Sequence, residues 1–150
     1  MPYLLFAFAI GCMIPLQAAI NSQLKFHLGA STLLAALVSF AVGTLALGVA
    51  AATTERVQSL AGIADAKAWQ LTGGLIGAVF VFGTTLLAPR IGVAKMTALI
   101  IAGQVIVSML LDHQGWLGLA VRELTPARIL GGVLVVAGVA LVNFDPLFSR

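Results

Sequence analysis

The sequence predicts an all-α membrane protein built from five transmembrane helices. Three observations predict it. Hydrophobic residues make up 61% of the 150 and charged residues only 9%, against about 25% charged in soluble domains. Apolar stretches near the ~20 residues needed to cross a hydrocarbon core recur along the chain. The charged side chains gather mainly between these stretches, above all in the connections at about 53–68 and 112–126. A soluble fold of this length could not cover itself with so few polar groups, so the apolar runs must face lipid or one another. One domain, 1–150, is expected.

Residues 2–24 carry no charge and form the first predicted helix. The run is too long for a signal-peptide core, lacks Lys and Arg before it, and offers only a poor small-residue site around Ala18-Ala19. It is therefore expected to stay as a helix. Pro15 falls well inside it, four residues after Gly11, and predicts a kink there. Gln17 and Asn21 share one face with Ile10 and Ile14. An adjacent face carries Gly11, Pro15, Ala18 and Ser22.

The second helix is predicted over 30–52, after Lys25 and His27. Its small-residue stripe runs Thr32, Ala35, Ala36, Ser39, Gly43, Ala46 and Ala50. The third is predicted over 69–88, with Gly73, Gly77, Phe80 and Thr84 on one stripe. Ala88-Pro89-Arg90-Ile91-Gly92 then reads as a tight turn. The fourth covers 93–111 and ends before Asp112, with Thr97, Gln104 and Ser108 on one face. The fifth covers 127–144. Thr125-Pro126 reads as its N-cap and first position, and Asp145-Pro146 as its end. Gly131, Val135, Gly138 and Val142 line up along it. Small residues let membrane helices approach closely, so Ser39, Gly43, Gly73, Gly77, Gly131 and Gly138 are expected to pack. Tyr3, Trp69 and Trp116 fall near predicted helix ends, at headgroup level.

Polar groups inside the spans are few. A buried amide costs a few kcal/mol unless it is paired. Gln17, Asn21 and Gln104, with Thr84, Thr97 and Ser108, should face protein or a water-filled path. They either join helices by hydrogen bonds or contact a solute. No Asp or Glu lies in the middle of a span, so carboxylate-based proton antiport has no support. Asp112 and Lys95 lie near helix ends and read as interfacial.

Other classes lack their signatures. Cys12 is the single cysteine and the two histidines are well separated, so no metal-ligand spacing exists. No cofactor is expected. The basic residues are scattered without aromatic interleaving, which excludes a nucleic-acid partner. Gly-x-Ser-x-Gly, His-Glu-x-x-His and a phosphate-binding glycine loop do not occur, and the chain is not expected to be an enzyme.

Lys and Arg set the orientation of membrane helices. With five spans, Arg56, Lys67, Arg122 and Arg128 fall on one side, and Lys25, Arg90, Lys95 and Arg150 on the other. The tie has two readings. Another feature fixes one orientation, or the chain inserts both ways and pairs with an inverted copy.

Several motifs together resemble a known family. These are Gly11-x-x-x-Pro15-x-Gln17-Ala18-x-x-Asn21, Phe40-x-x-Gly43-Thr44-Leu45 and Gly73-Gly74-x-x-Gly77-Ala78. Leu87-Ala88-Pro89-Arg90-Ile91-Gly92, Ala102-Gly103-Gln104, Asp112-His113-x-Gly115-Trp116 and Arg128-x-x-Gly131 complete the pattern. Over nearly the whole chain, they resemble the YdcZ-like family of the drug/metabolite transporter superfamily. The resemblance implies a bacterial inner-membrane transporter that is one inverted-repeat half. Its implied partners are the bilayer, a small-molecule substrate and a second copy, with which it forms an antiparallel, dual-topology homodimer. Gln17, Asn21, Gln104, Thr97, Ser108 and Thr84 would then bind a small organic solute during alternating access. A channel and a non-transporting membrane subunit are the alternatives. The small multidrug exporters use a glutamate in their first helix. Gln17 and Asn21 stand in the first helix here, which turns the expectation away from cationic drugs.

Overall fold

A computed structural model describes residues 2–54 and 57–143 of the chain. Its α-helices are α1 (Pro2–His27), α2 (Thr32–Thr54), α3 (Thr72–Ile91), α4 (Val93–Gln114) and α5 (Pro126–Asn143). Each is long and apolar enough to cross a membrane. At 1.5 Å rise per residue they span about 27–39 Å. 3₁₀ segments occupy Val57–Asp65, Ala68–Leu71 and Trp116–Gly118. The predicted order and number of helices hold among the described residues. Arg56, Arg150, Phe144 and the Asp145-Pro146 stop lie outside them.

The helix ends differ from expectation for physical reasons. α1 runs on through Lys25 and His27, because cations in a last turn complement the helix dipole rather than end the helix. The Lys25 ammonium lies 5.4 Å from the Phe26 ring centre. α2 starts later than predicted, at Thr32, where Ser31 caps it: Oγ of Ser31 accepts the Leu34 N–H at 3.2 Å. The turn expected at 88–92 narrows to a single residue. α3 passes through Pro89 to Ile91, and only Gly92, at φ 85°, interrupts the helical backbone before α4. Proline forfeits one hydrogen bond, whereas a positive φ ends a helix outright. α4 likewise continues past Asp112 to Gln114. α5 begins as predicted, with the Thr125 hydroxyl accepting the Arg128 N–H at 3.3 Å.

The chain forms two compact units, Met1–Arg90 and Ile91–Arg150. In the first, α1 packs on α2, and Ala18, Ala35, Ala36, Val81 and Ala88 form the apolar core. Among the described residues, no apolar side chain larger than valine is buried there. Asn21, Ser22, Thr84 and Thr85 are buried beside these residues. Gly77 lies against Phe40, 3.5 Å from where its Cβ would be, while nothing among the described residues would touch a Cβ at Gly43 or Gly73. Ser39 and Gly43 are half-buried.

In the second unit α4 packs on α5. The close approach is at Gly132, where a Cβ would stand 3.0 Å from Met109 Sδ. The half-buried positions of α5 include Gly132, Val135 and Val139; Val135 belongs to the predicted stripe, whereas Gly132 and Val139 lie one residue around the helix from it. Gly131 and Gly138 are exposed, and nothing among the described residues would meet a Cβ on either. Of the two consecutive glycines, Gly132 is the one set against α4.

Candidate functional site

The polar core of the first unit follows from Pro89. In an α-helix the N–H of residue 89 would donate to the carbonyl of residue 85, and proline has no N–H to give. The Thr85 carbonyl is thereby released inside the protein. Ser22 on α1 meets it: its hydroxyl donates to that carbonyl at 3.2 Å. Hydroxyls of neighbouring helices commonly satisfy such freed groups in membranes. Ser22 and Thr85 both lie in the C-terminal halves of their helices, which fits two spans running the same way.

Around this joint the polar groups are unusually dry. Thr85 is fully buried, at 0% exposure, and Asn21, Ser22 and Thr84 are buried with it. The Thr84 hydroxyl donates within its own helix, to the Val81 carbonyl at 3.1 Å. Asn21 Nδ2 and Thr85 Oγ1 have no hydrogen-bond partner among the described residues. An unmade bond of this kind costs about 1–3 kcal/mol, so these atoms are poised for a partner.

Gln17 lies one turn before Asn21 but is exposed. The polar face of α1 therefore passes from an open position at Gln17 to a buried one at Asn21. α1 is continuous through Pro15. The missing N–H of Pro15 releases the Gly11 carbonyl, and Gly11, itself exposed, has no side chain to shield it.

The other three expected residues lie on α4 in the second unit. Thr97 is half-buried, and its Oγ1 is enclosed without a partner among the described residues. Gln104 stands at the middle of α4 and is exposed. Ser108 is exposed and donates to the Val105 carbonyl at 2.9 Å. The structure thus gives three of the six to each unit: Gln17, Asn21 and Thr84 to the first, Thr97, Gln104 and Ser108 to the second.

Asp112 has a structural partner. Its carboxylate receives Arg128 Nη2 at 2.5 Å, with both side chains about one-third exposed. Arg128 Nη1 reaches the carbonyls of Glu123 at 3.3 Å and Arg122 at 3.5 Å. The Arg122 N–H returns to the Asp112 carbonyl at 2.8 Å. These bonds tie the connection between α4 and α5 to the adjoining ends of both helices. Gly115 begins that connection at φ 62°, its N–H donating to the Leu111 carbonyl. Sequence reasoning placed Asp112 at the interface without identifying Arg128 as its partner.

The helices are of membrane length, with polar side chains along α1, α3 and α4 and freed carbonyls on α1 and α3. A family model matches this chain over residues 2–141. The chain belongs to the YdcZ family. That family carries the description "Putative inner membrane exporter, YdcZ". With five membrane-length helices, this makes the chain an integral inner-membrane protein of an exporter family, a transporter family rather than an enzyme family. No curated protein and no solved structure matches it.

Proposed function

We propose that this YdcZ-family chain is half of a secondary transporter, completed by a second copy in inverted orientation, and that it moves a small uncharged or zwitterionic organic solute by alternating access. The observation that carries the reading is the exposure of Gln17 and Gln104 well inside their spans. An amide facing lipid at that depth costs a few kcal/mol. Two such groups on one chain require a cover that is protein or a water-filled path.

Three further features support an inverted copy as that cover. α5 buries no residue of its own. Gly131 and Gly138 offer it a bare small-residue stripe. The eight Lys and Arg divide evenly between the two sides, so neither orientation is favoured by charge. In transporters built from inverted repeats, the solute site lies near the bilayer midplane, where interrupted helices expose backbone groups. Gln17, Asn21, Thr84, Thr97, Gln104 and Ser108 are the residues assigned here to hydrogen-bond the solute. Pro15 and Gly11 loosen α1 beside this path. The middle of each span lacks ionised side chains, which suits a solute without net charge.

Counterflow tests the proposal. Proteoliposomes are loaded with a mixture of unlabelled neutral and zwitterionic metabolites, then given the same mixture isotopically labelled, and uptake is read by mass spectrometry. Saturable accumulation of one labelled compound, abolished in Gln104→Ala with the dimer retained, is expected. Flux that neither saturates nor exchanges identifies a channel instead. Normal exchange in Gln104→Ala removes Gln104 from the site.

A further inference from the structure

The connection between α2 and α3 carries an apolar ridge. Val57–Asp65 is a 3₁₀ helix. With three residues per turn, side chains at i, i+3 and i+6 stand in register along one line. Val57, Leu60 and Ile63 form that line, at 45%, 65% and 59% exposure. The Ala66 N–H continues the pattern by donating to the Ile63 carbonyl at 3.1 Å. The row Ser59, Gly62 and Asp65 carries a hydroxyl and a carboxylate. In an α-helix the three large residues would spread over about 120°, a broader face than this single line.

Two physical points identify what covers this ridge. A 3₁₀ run longer than three or four residues is uncommon, because its hydrogen bonds are poorly aligned. An apolar surface against the row would offset that poor alignment. The segment also joins two membrane-spanning helices, α2 ending at Thr54 and α3 starting at Thr72, so its place is at the bilayer surface. Lys67 and the exposed Trp69 follow directly, a basic residue and an amphipathic ring of the kind that anchors chains at headgroup level.

We infer that Val57–Asp65 is an interfacial anchor that lies flat on the membrane, with Val57, Leu60 and Ile63 sunk to the boundary between headgroups and acyl chains, and Ser59 and Asp65 in water. At ~2.0 Å rise per residue the ridge is about 12 Å long. Anchoring fixes the ends of α2 and α3 at one depth without using protein contacts. A second copy or a soluble partner covering the same face is the competing outcome, and the test separates them.

Full-length protein in the Cys12→Ala background receives one nitroxide-labelled cysteine at a time, at 59, 60, 63 or 65, and is reconstituted in phosphatidylcholine–phosphatidylglycerol vesicles. Accessibility to lipid-soluble oxygen and to a water-soluble nickel chelate is measured. The expected result is higher oxygen accessibility at 60 and 63, and higher nickel accessibility at 59 and 65. Equal nickel accessibility at all four positions means a solvated loop and overturns the inference. Protection of 60 and 63 from both reagents means a protein cover and also overturns it. A second measurement leaves the ridge untouched. Trp116→Phe leaves Trp69 as the sole tryptophan of the two. Its fluorescence should be quenched by lipids brominated near the headgroup and little affected by aqueous iodide. The reverse contradicts the anchor.

Discussion

Removing the hydroxyl of Ser22 should expose how α3 tolerates Pro89. In Ser22→Ala the Thr85 carbonyl loses the donor it receives at 3.2 Å, in a place where Thr85 has no exposed surface. Leaving a buried acceptor unmade costs about 1–3 kcal/mol. Hydrogen bonds between membrane helices measure lower, about 0.6–1.7 kcal/mol, since the unfolded chain finds other partners in the bilayer. Both ranges allow about 1–1.5 kcal/mol for this bond. In Pro89→Ala the missing N–H returns, and the carbonyl is satisfied within its own helix. Ser22→Ala should then cost no more than about 0.5 kcal/mol, so the coupling between the two changes is about 1 kcal/mol. Reversible unfolding in mixed detergent micelles, followed by tryptophan fluorescence, measures all four proteins. An equal cost of Ser22→Ala with and without Pro89 would refute the reasoning.

Two further changes test the second unit in the same unfolding assay. Gly115→Ala places a Cβ 2.6 Å from Val121 Cγ2 at a left-handed backbone that costs alanine about 1–2 kcal/mol. A total loss of about 2–3 kcal/mol is expected, and Val121→Ala should restore only the steric part, so complete rescue would count against backbone strain. Arg128→Lys keeps the charge but loses the fork that reaches Asp112, Arg122 and Glu123 together. Its destabilisation, about 1 kcal/mol for a partly exposed pair with added backbone bonds, should be close to that of Arg128→Gln; a Lys variant as stable as the parent would show that charge alone suffices.

Much of the fold was legible because length and hydropathy alone decide membrane spans. The Thr125-Pro126 start of α5 followed from capping chemistry. Proline was the main source of error. At 89 it looked like a helix end, yet inside a membrane protein a neighbour such as Ser22 can take up the freed carbonyl, and α3 continued to Ile91. Counting back four residues from Pro89 points to Thr85, but nothing local says that α1 supplies the donor. In α5, Val135 of the predicted stripe is half-buried, while Gly132 rather than its neighbour Gly131 is set against α4, which spacing alone does not decide. Asn21 and Thr84 were recognisable as polar residues in apolar runs, whereas Ser22 and Thr85 belong to the buried cluster through tertiary contact. The ridge of Val57, Leu60 and Ile63 was passed over because the 53–68 connection was read for its charges.

The central claim is that one sequence supplies both halves of the transporter, and topology tests it most directly. A single cysteine at Ser59, in the Cys12→Ala background, is labelled in spheroplasts with a membrane-impermeant thiol reagent. Labelling of about half the chains, rising to all of them after permeabilisation, is predicted. Labelling of all or none before permeabilisation would mean a single orientation, and the antiparallel homodimer would be contradicted.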